Sequence, residues 1–211
     1  MFIKRIAHVS SGIRCGKKYA SVAAVVALIG CLIAATGEKR EQDTRSADVA
    51  AFDVSGQKVF PLRSIQDKAV VFIFLSVDCP ISSQYSPEIQ RLATEFGGKG
   101  IKFWLVYPDA EESPEVIRKH TEEYFHDLPA LCDSKHDVAK IAQARVTPEA
   151  AVLLPGGKLI YHGRIDDRYV DLGVQRPQAI RHDLEEILTA VAKGKVLKPT
   201  TALAVGCPIS D

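Results

Sequence analysis

Asp67–Ser82 reads DKAVVFIFLSVDCPIS, and the fold turns on how this stretch divides. Ala69 to Leu75 is an unbroken apolar run rich in β-branched and aromatic residues, the pattern of a strand covered on both faces. Cys79-Pro80 then opens a helical pattern, because Ile81, Tyr85, Ile89, Leu92 and Phe96 fall on one face before Gly97-Gly98. A cysteine between a buried strand and a helix lies at the carboxyl end of a sheet, where open α/β folds place their sites. There the helix N-terminus favours a thiolate, and Pro80 suits a first turn that has no N–H bond to lose.

The rest of the chain supplies the elements around this step. Phe52–Leu62 alternates about Ser55-Gly56 as a hairpin, and Ile101–Tyr107 (IKFWLVY) reads as a second buried strand. Ser113-Pro114-Glu115 starts a helix running to about Phe125, followed by a short strand over 128–132 and a short helix over 137–144. Two strands, 150–154 and 158–162, flank Pro155-Gly156-Gly157 as a hairpin, and Ile180, Leu184, Ile187, Leu188 and Val191 mark the core face of a last helix ending near Gly194. This order predicts an α/β domain with a mixed central sheet flanked by helices.

Residues 1–36 read as an export segment. Lys4, Arg5, Arg14, Lys17 and Lys18 precede an uncharged apolar stretch from Tyr19 to Thr36. Within it Leu28-Ile29-Gly30-Cys31 resembles a bacterial lipobox, which makes Cys31 a candidate for lipid attachment; a retained membrane anchor and ordinary cleavage are the other readings. All three place the domain outside the cytoplasm, tethered in the first two. Residues 37–49 are polar and aperiodic, a solvated linker. Without residues 1–36 the chain keeps 22 basic and 26 acidic residues, a formal charge of −4, which excludes a basic nucleic-acid footprint. An oxidising compartment permits disulfides among Cys79, Cys132 and Cys207.

Strand, Cys79-Pro80-Ile81-Ser82, helix, with Pro87 further along that helix, resembles the thioredoxin fold. Val146-Thr147-Pro148 before the strand AAVLLP is similar to the loop of that fold whose proline is cis and whose backbone faces the reactive thiol. Together with LLPGGKLIYHGRIDD these features extend the likeness over residues 50–193, nearest to bacterial redoxins of the alkyl hydroperoxide reductase and thiol-specific antioxidant group. The resemblance implies thiol–disulfide oxidoreductase chemistry at Cys79, with Pro80, Ser76, Thr147 and Pro148 in the site, a protein thiol or disulfide as partner, and no cofactor. A small hydroperoxide is the alternative substrate.

The departures are as informative. Ser82 stands where thioredoxins carry the second cysteine, so the cycle needs another thiol. Peroxiredoxins place proline seven residues, and threonine three residues, before their cysteine; here those positions hold Phe72 and Ser76, and only Ser76 keeps a hydroxyl. Arg145 and Arg164 are candidates for a guanidinium beside the thiolate. A third reading is a non-enzymatic module holding copper(I) or a partner, with His162 the best-placed histidine, although the CxxxC pair of copper chaperones with this fold is missing. The GRIDDRY segment, 163–169, reads as a solvated charged loop or as a border of the thiol site.

Residues 194–211 form a tail in which Val205–Ser210, VGCPIS, echoes VDCPIS at Val77–Ser82. The stretch from Gly194 to Cys207 reaches about 43 Å when extended, beyond the radius of gyration of about 15 Å expected for such a domain. Cys207 is therefore the first candidate to resolve Cys79, an external thiol the second and Cys132 the third.

Overall fold

The computed structural model describes residues 48–209 apart from Ile65. The lipidation candidate Cys31, the export segment and nearly all of the linker lie outside the described residues. No helix among the described residues is long and apolar enough to cross a membrane.

The core strand β3 (Ala69–Phe74) is wholly buried. Its alternate side chains enter two separate apolar layers, which accounts for an apolar run without polar interruptions. Ala69, Val71 and Ile73 point into the larger layer with Cys79, Ile89, Leu92, Phe96, Leu184 and Leu188. Val70, Phe72 and Phe74 meet Trp104, Leu131, Val138 and Ala151 on the other side. Phe72 is thus a core residue on the face away from the thiol.

On one flank β3 pairs in parallel with β4 (Ile101–Tyr107), which pairs in parallel with β5 (Ala130–Cys132). Beyond β5 lie β1 (Ala51–Asp53) and β2 (Lys58–Val59), an antiparallel hairpin that extends the sheet. On the other flank β3 pairs antiparallel with β7 (Glu149–Leu154), and β7 with β8 (Lys158–Gly163). The result is the expected mixed sheet with helices on both faces.

The helical pattern after Cys79 resolves into α1 (Pro80–Gln84) and α2 (Ser86–Gly97), broken at Tyr85 just before Pro87. Pro87 has no N–H to return to residue 83, so the break falls where the hydrogen-bond ladder is already interrupted. Helix α3 (Pro114–Tyr124) starts at Ser113, whose side chain accepts from Val116 N–H as an N-cap. Helix α4 (Asp137–Ala142) covers the second layer. Its first N–H groups are held by Asp133, buried, whose two carboxylate oxygens accept from Val138 (3.0 Å) and Ala139 (2.8 Å). Asp133→Ala is expected to lower unfolding stability by about 2 kcal/mol in a denaturant titration, the upper end for loss of a helix cap, since two buried N–H groups lose their acceptor together.

The last helix, α5 (Asp183–Ala192), is shorter than the sequence suggests. Ile180 precedes it and is 76% exposed, because residues 178–182 are spent reaching the helix start. Gly194, at φ +68°, ends the turn that follows.

After a small antiparallel pair, β9 (Tyr169–Asp171) and β10 (Val174–Gln175), two further strands lie in the tail. β11 (Thr200–Ala202) adds in parallel to β8 at the sheet edge, pairing Ala202 with Gly163. β12 (Cys207–Pro208) pairs antiparallel with β6 (Val146–Thr147), with Cys207 opposite Thr147. Both contacts need a glycine: a Cβ on Gly163, at φ +142°, would stand 1.9 Å from the Ala202 carbonyl oxygen, and one on Gly206 would stand 2.1 Å from that of Thr147. The tail is therefore a docked part of the domain.

Candidate active site

Cys79 follows β3 by five residues and occupies the N-cap position of α1, with extended backbone angles. It is 1% exposed, within the larger apolar layer. Its Sγ lies 3.1 Å from the carbonyl oxygen of Thr147, to which the protonated thiol donates. The Thr147–Pro148 peptide bond is cis, the isomer the resemblance implies.

The Cys207 thiol donates to Cys79 Sγ across 2.9 Å. Thr147 binds both cysteines, since its side-chain hydroxyl also donates to the Cys207 carbonyl oxygen at 3.5 Å. The tail is fixed one step further on by Ile209 N–H, which donates to the Arg145 carbonyl at 2.9 Å. The register of β12 on β6 thus sets one sulfur against the other.

The two thiols differ electrostatically. Burial pushes the Cys79 thiol up, but hydrogen bonds from the Cys207 thiol, from the Ser82 backbone and hydroxyl and from the Cys207 backbone outweigh it, leaving its pKa below the ordinary value. Cys207 is pushed up to about 11, by burial first and then by its hydrogen bond and charge interaction with Cys79. Ser82, fully buried, thus supports the thiolate from the position that thioredoxins give to a second thiol. Alkylation of Cys79 in the reduced protein, followed against pH, is expected to have its midpoint below that of an ordinary thiol. Cys207→Ala removes the largest stabilising donor while burial persists, so the midpoint is expected to rise.

Cys132 stands on β5, two strands from β3 and so about 9.6 Å across the sheet from its line. Its thiol is pushed up by burial and by the nearby charges of Asp53, Glu112 and Glu115. Neither arginine candidate is found beside the thiolate. Arg164 Nε donates to Asp183 at 2.7 Å, at the start of α5, and Arg145 has an exposed residue position and takes part through its backbone. Ser76 also departs from the role suggested for a peroxiredoxin threonine, because its hydroxyl donates to Glu112 Oε1 at 2.8 Å.

Glu112 carries no signal of a site role in the sequence. Glu112 Oε1 also accepts from Val77 N–H at 2.8 Å and so holds the loop before Cys79, while burial raises its pKa. GRIDDRY is not a solvated loop: Asp166 and Asp167 are buried. Asp166 accepts the Tyr85 hydroxyl, and Asp167 Oδ1 accepts from the N–H groups of Ile180 and Arg181. Tyr169, at the end of this segment, packs on Tyr85 with ring centroids 5.4 Å apart, and its hydroxyl binds Gln84 on α1. The segment therefore borders the thiol site and braces α1. Beneath the same helix His120 is buried, with Nδ1 2.8 Å from the Tyr107 hydroxyl and Nε2 3.3 Å from Ser83 Oγ. Its pKa is lowered by burial.

The two sulfurs stand 2.9 Å apart as hydrogen-bonded thiols. His162, the histidine of the copper(I) reading, has its Nδ1 3.3 Å from Glu149 Oε1.

Comparison with known proteins agrees with this architecture. An uncharacterised conserved protein from Geobacillus kaustophilus superposes with a TM-score of 0.63 at 27% identity, over 77% of this chain and 87% of that one. A hypothetical protein from Sinorhizobium meliloti 1021 gives 0.64 at 23% identity, over 78% and 91%. A secreted disulfide oxidoreductase of Mycobacterium tuberculosis, homologous to E. coli DsbE, gives 0.50 at 17% identity, over 71% and 98%, and this likeness bears on the fold alone. No curated protein matches the sequence. The AhpC/TSA family model matches residues 44–162, and with a cysteine at the strand-to-helix step facing a cis-proline turn on a mixed sheet, the chain belongs to the AhpC/TSA family of thioredoxin-like redoxins.

Proposed function

We propose that this protein is an extracytoplasmic thiol–disulfide oxidoreductase whose redox centre is the pair Cys79 and Cys207. The observation that carries the reading is the 2.9 Å approach of two thiols 128 residues apart in sequence, held by a strand pairing rather than by chance contact of a free tail. Cys79 is the attacking and leaving thiolate, Cys207 the resolving thiol. Thr147 and Pro148 form the wall that aligns them, and Ser82 and the start of α1 stabilise the thiolate. The export segment read in residues 1–36 supports a location outside the cytoplasm.

A lowered Cys79 pKa favours the reduced state, because a stable thiolate is a good leaving group when the disulfide is attacked. The pair is accordingly suited to accept electrons from a partner dithiol. A peroxide-reducing reading has less support: Phe72 faces the opposite layer and Ser76 is engaged by Glu112.

Mild oxidation of the folded protein is expected to yield a Cys79–Cys207 disulfide, seen as a linked peptide by mass spectrometry and reversed by dithiothreitol. Recovery of Cys207 as a free thiol, or a link from Cys79 to Cys132, would overturn the assignment.

A further inference from the structure

Cys79 is covered by Thr147 and Cys207, and the strand edge of β6 beside it is occupied by β12. An outside partner therefore has no free edge on which to lay an extended peptide against the Thr147–Pro148 turn. Cys207, by contrast, is partly exposed and lines a cleft of about 500 Å³ together with Ser76, Asp109, Glu111, His136 and Pro208. The cleft presents two carboxylates. Asp78 and Asp109 also lie close enough to Glu112 to raise its pKa, so the negative field continues behind the wall. No lysine or arginine lines the cleft among the described residues. Its one imidazole, His136, has Nε2 2.8 Å from the Pro108 carbonyl oxygen.

Resting on the Cys79–Cys207 reading, we infer that the reducing partner enters through this cleft and attacks Cys207, not Cys79, and that the cleft selects a dithiol flanked by positive charge. A partner thiolate attacks Cys207 Sγ of the oxidised pair. The Cys79–Cys207 bond breaks, and its electron pair leaves on Cys79 Sγ as thiolate. The partner's second thiol, once deprotonated, attacks the partner's own sulfur in the mixed disulfide and releases Cys207, which takes up a proton. The partner becomes a disulfide, and two electrons have passed to the pair while β12 stays docked.

The experiment uses the oxidised protein and three small thiols of different charge: cysteamine (cationic), 2-mercaptoethanol (neutral) and 3-mercaptopropionate (anionic). Rates are expressed per thiolate and corrected for intrinsic nucleophilicity. Acid quenching, alkylation and mass spectrometry then locate the first adduct. The expected result is an adduct on Cys207, with cysteamine about tenfold faster than 3-mercaptopropionate at low ionic strength and the ratio falling towards one in 0.5 M salt. Asp109→Asn combined with Glu111→Gln is expected to remove most of the preference while the Cys79–Cys207 disulfide still forms. An adduct on Cys79, or equal rates at low salt, overturns the inference and leaves the disulfide reading standing. Failure to form any Cys79–Cys207 disulfide overturns the reading beneath it.

Discussion

Gly206→Val is expected to slow formation of the Cys79–Cys207 disulfide by at least about a hundredfold while leaving the fold intact. A Cβ at this position would stand 2.1 Å from the Thr147 carbonyl oxygen and 2.6 Å from its carbon, and both are backbone atoms that cannot step aside. The pairing of Cys207 with Thr147 then fails, because β12 is only two residues long and cannot re-form in another register that returns the same sulfur to Cys79. A docked thiol in contact with its target has the high effective concentration of an oriented intramolecular reactant, whereas one on a flexible tether falls to the millimolar range. That difference sets the minimum effect. The measurement is the rate of oxidation by a fixed concentration of oxidised glutathione, read as loss of free thiol, with thermal unfolding as a control. The core layers do not include Gly206, so the melting temperature should shift by only a few degrees. An oxidation rate equal to that of the unaltered protein would show that the tail strand does not present Cys207.

The parts legible in the sequence are those whose signal is long or chemically unusual. The β3 run, the Cys79-Pro80 step and the Gly97-Gly98 stop each span enough residues, or combine rare enough ones, to fix strand, thiol and helix in order. The mixed sheet follows from them. The tail strands were not legible, since Thr200–Ala202 and Cys207–Pro208 are too short to show a period of two. Their docking depends on Gly163 and Gly206, whose need for close backbone approach appears only when the neighbouring carbonyls are in place. The sequence reading of chain length allowed Cys207 to reach Cys79, but reach says nothing of register. Arg164 and the aspartates of GRIDDRY are a different case, because of the two readings of that segment the border of the thiol site agrees with the structure and the solvated loop does not. Charge alone reads as solvent-facing, whereas Asp166 and Asp167 are buried because Tyr85 and the backbone at 180–181 satisfy them, and Arg164 is drawn to Asp183. Glu112 has no pattern at all, because its partners, Ser76 and Val77, are 36 and 35 residues away.

Cys79→Ser is expected to reduce dithiol turnover by at least about a thousandfold, and its contrast with Cys207→Ser separates the two roles. A serine hydroxyl has no anion near neutral pH to match the thiolate that Ser82 and Cys207 stabilise, and it forms no disulfide, so both attack and departure are lost. The side chain is nearly isosteric and fully enclosed, so the loss reflects chemistry rather than packing. In Cys207→Ser the Cys79 thiolate remains, now without its first hydrogen-bond donor but still beside Ser82. With Cys15, Cys31 and Cys132 also replaced by serine, such a protein should react once with a small activated disulfide such as dithiobis(2-nitrobenzoate), releasing one equivalent of chromophore, and then stay blocked as a mixed disulfide. In the same background with both Cys79 and Cys207 retained, the reduced protein should release two equivalents and end as the internal disulfide. Cys79→Ser should react only slowly, since Cys207 alone is held mostly as thiol by a pKa raised by burial. If Cys207→Ser instead turned over at the rate of the unaltered protein, an external thiol would be the resolving group, and the docked tail would serve to shield Cys79 rather than to complete its cycle.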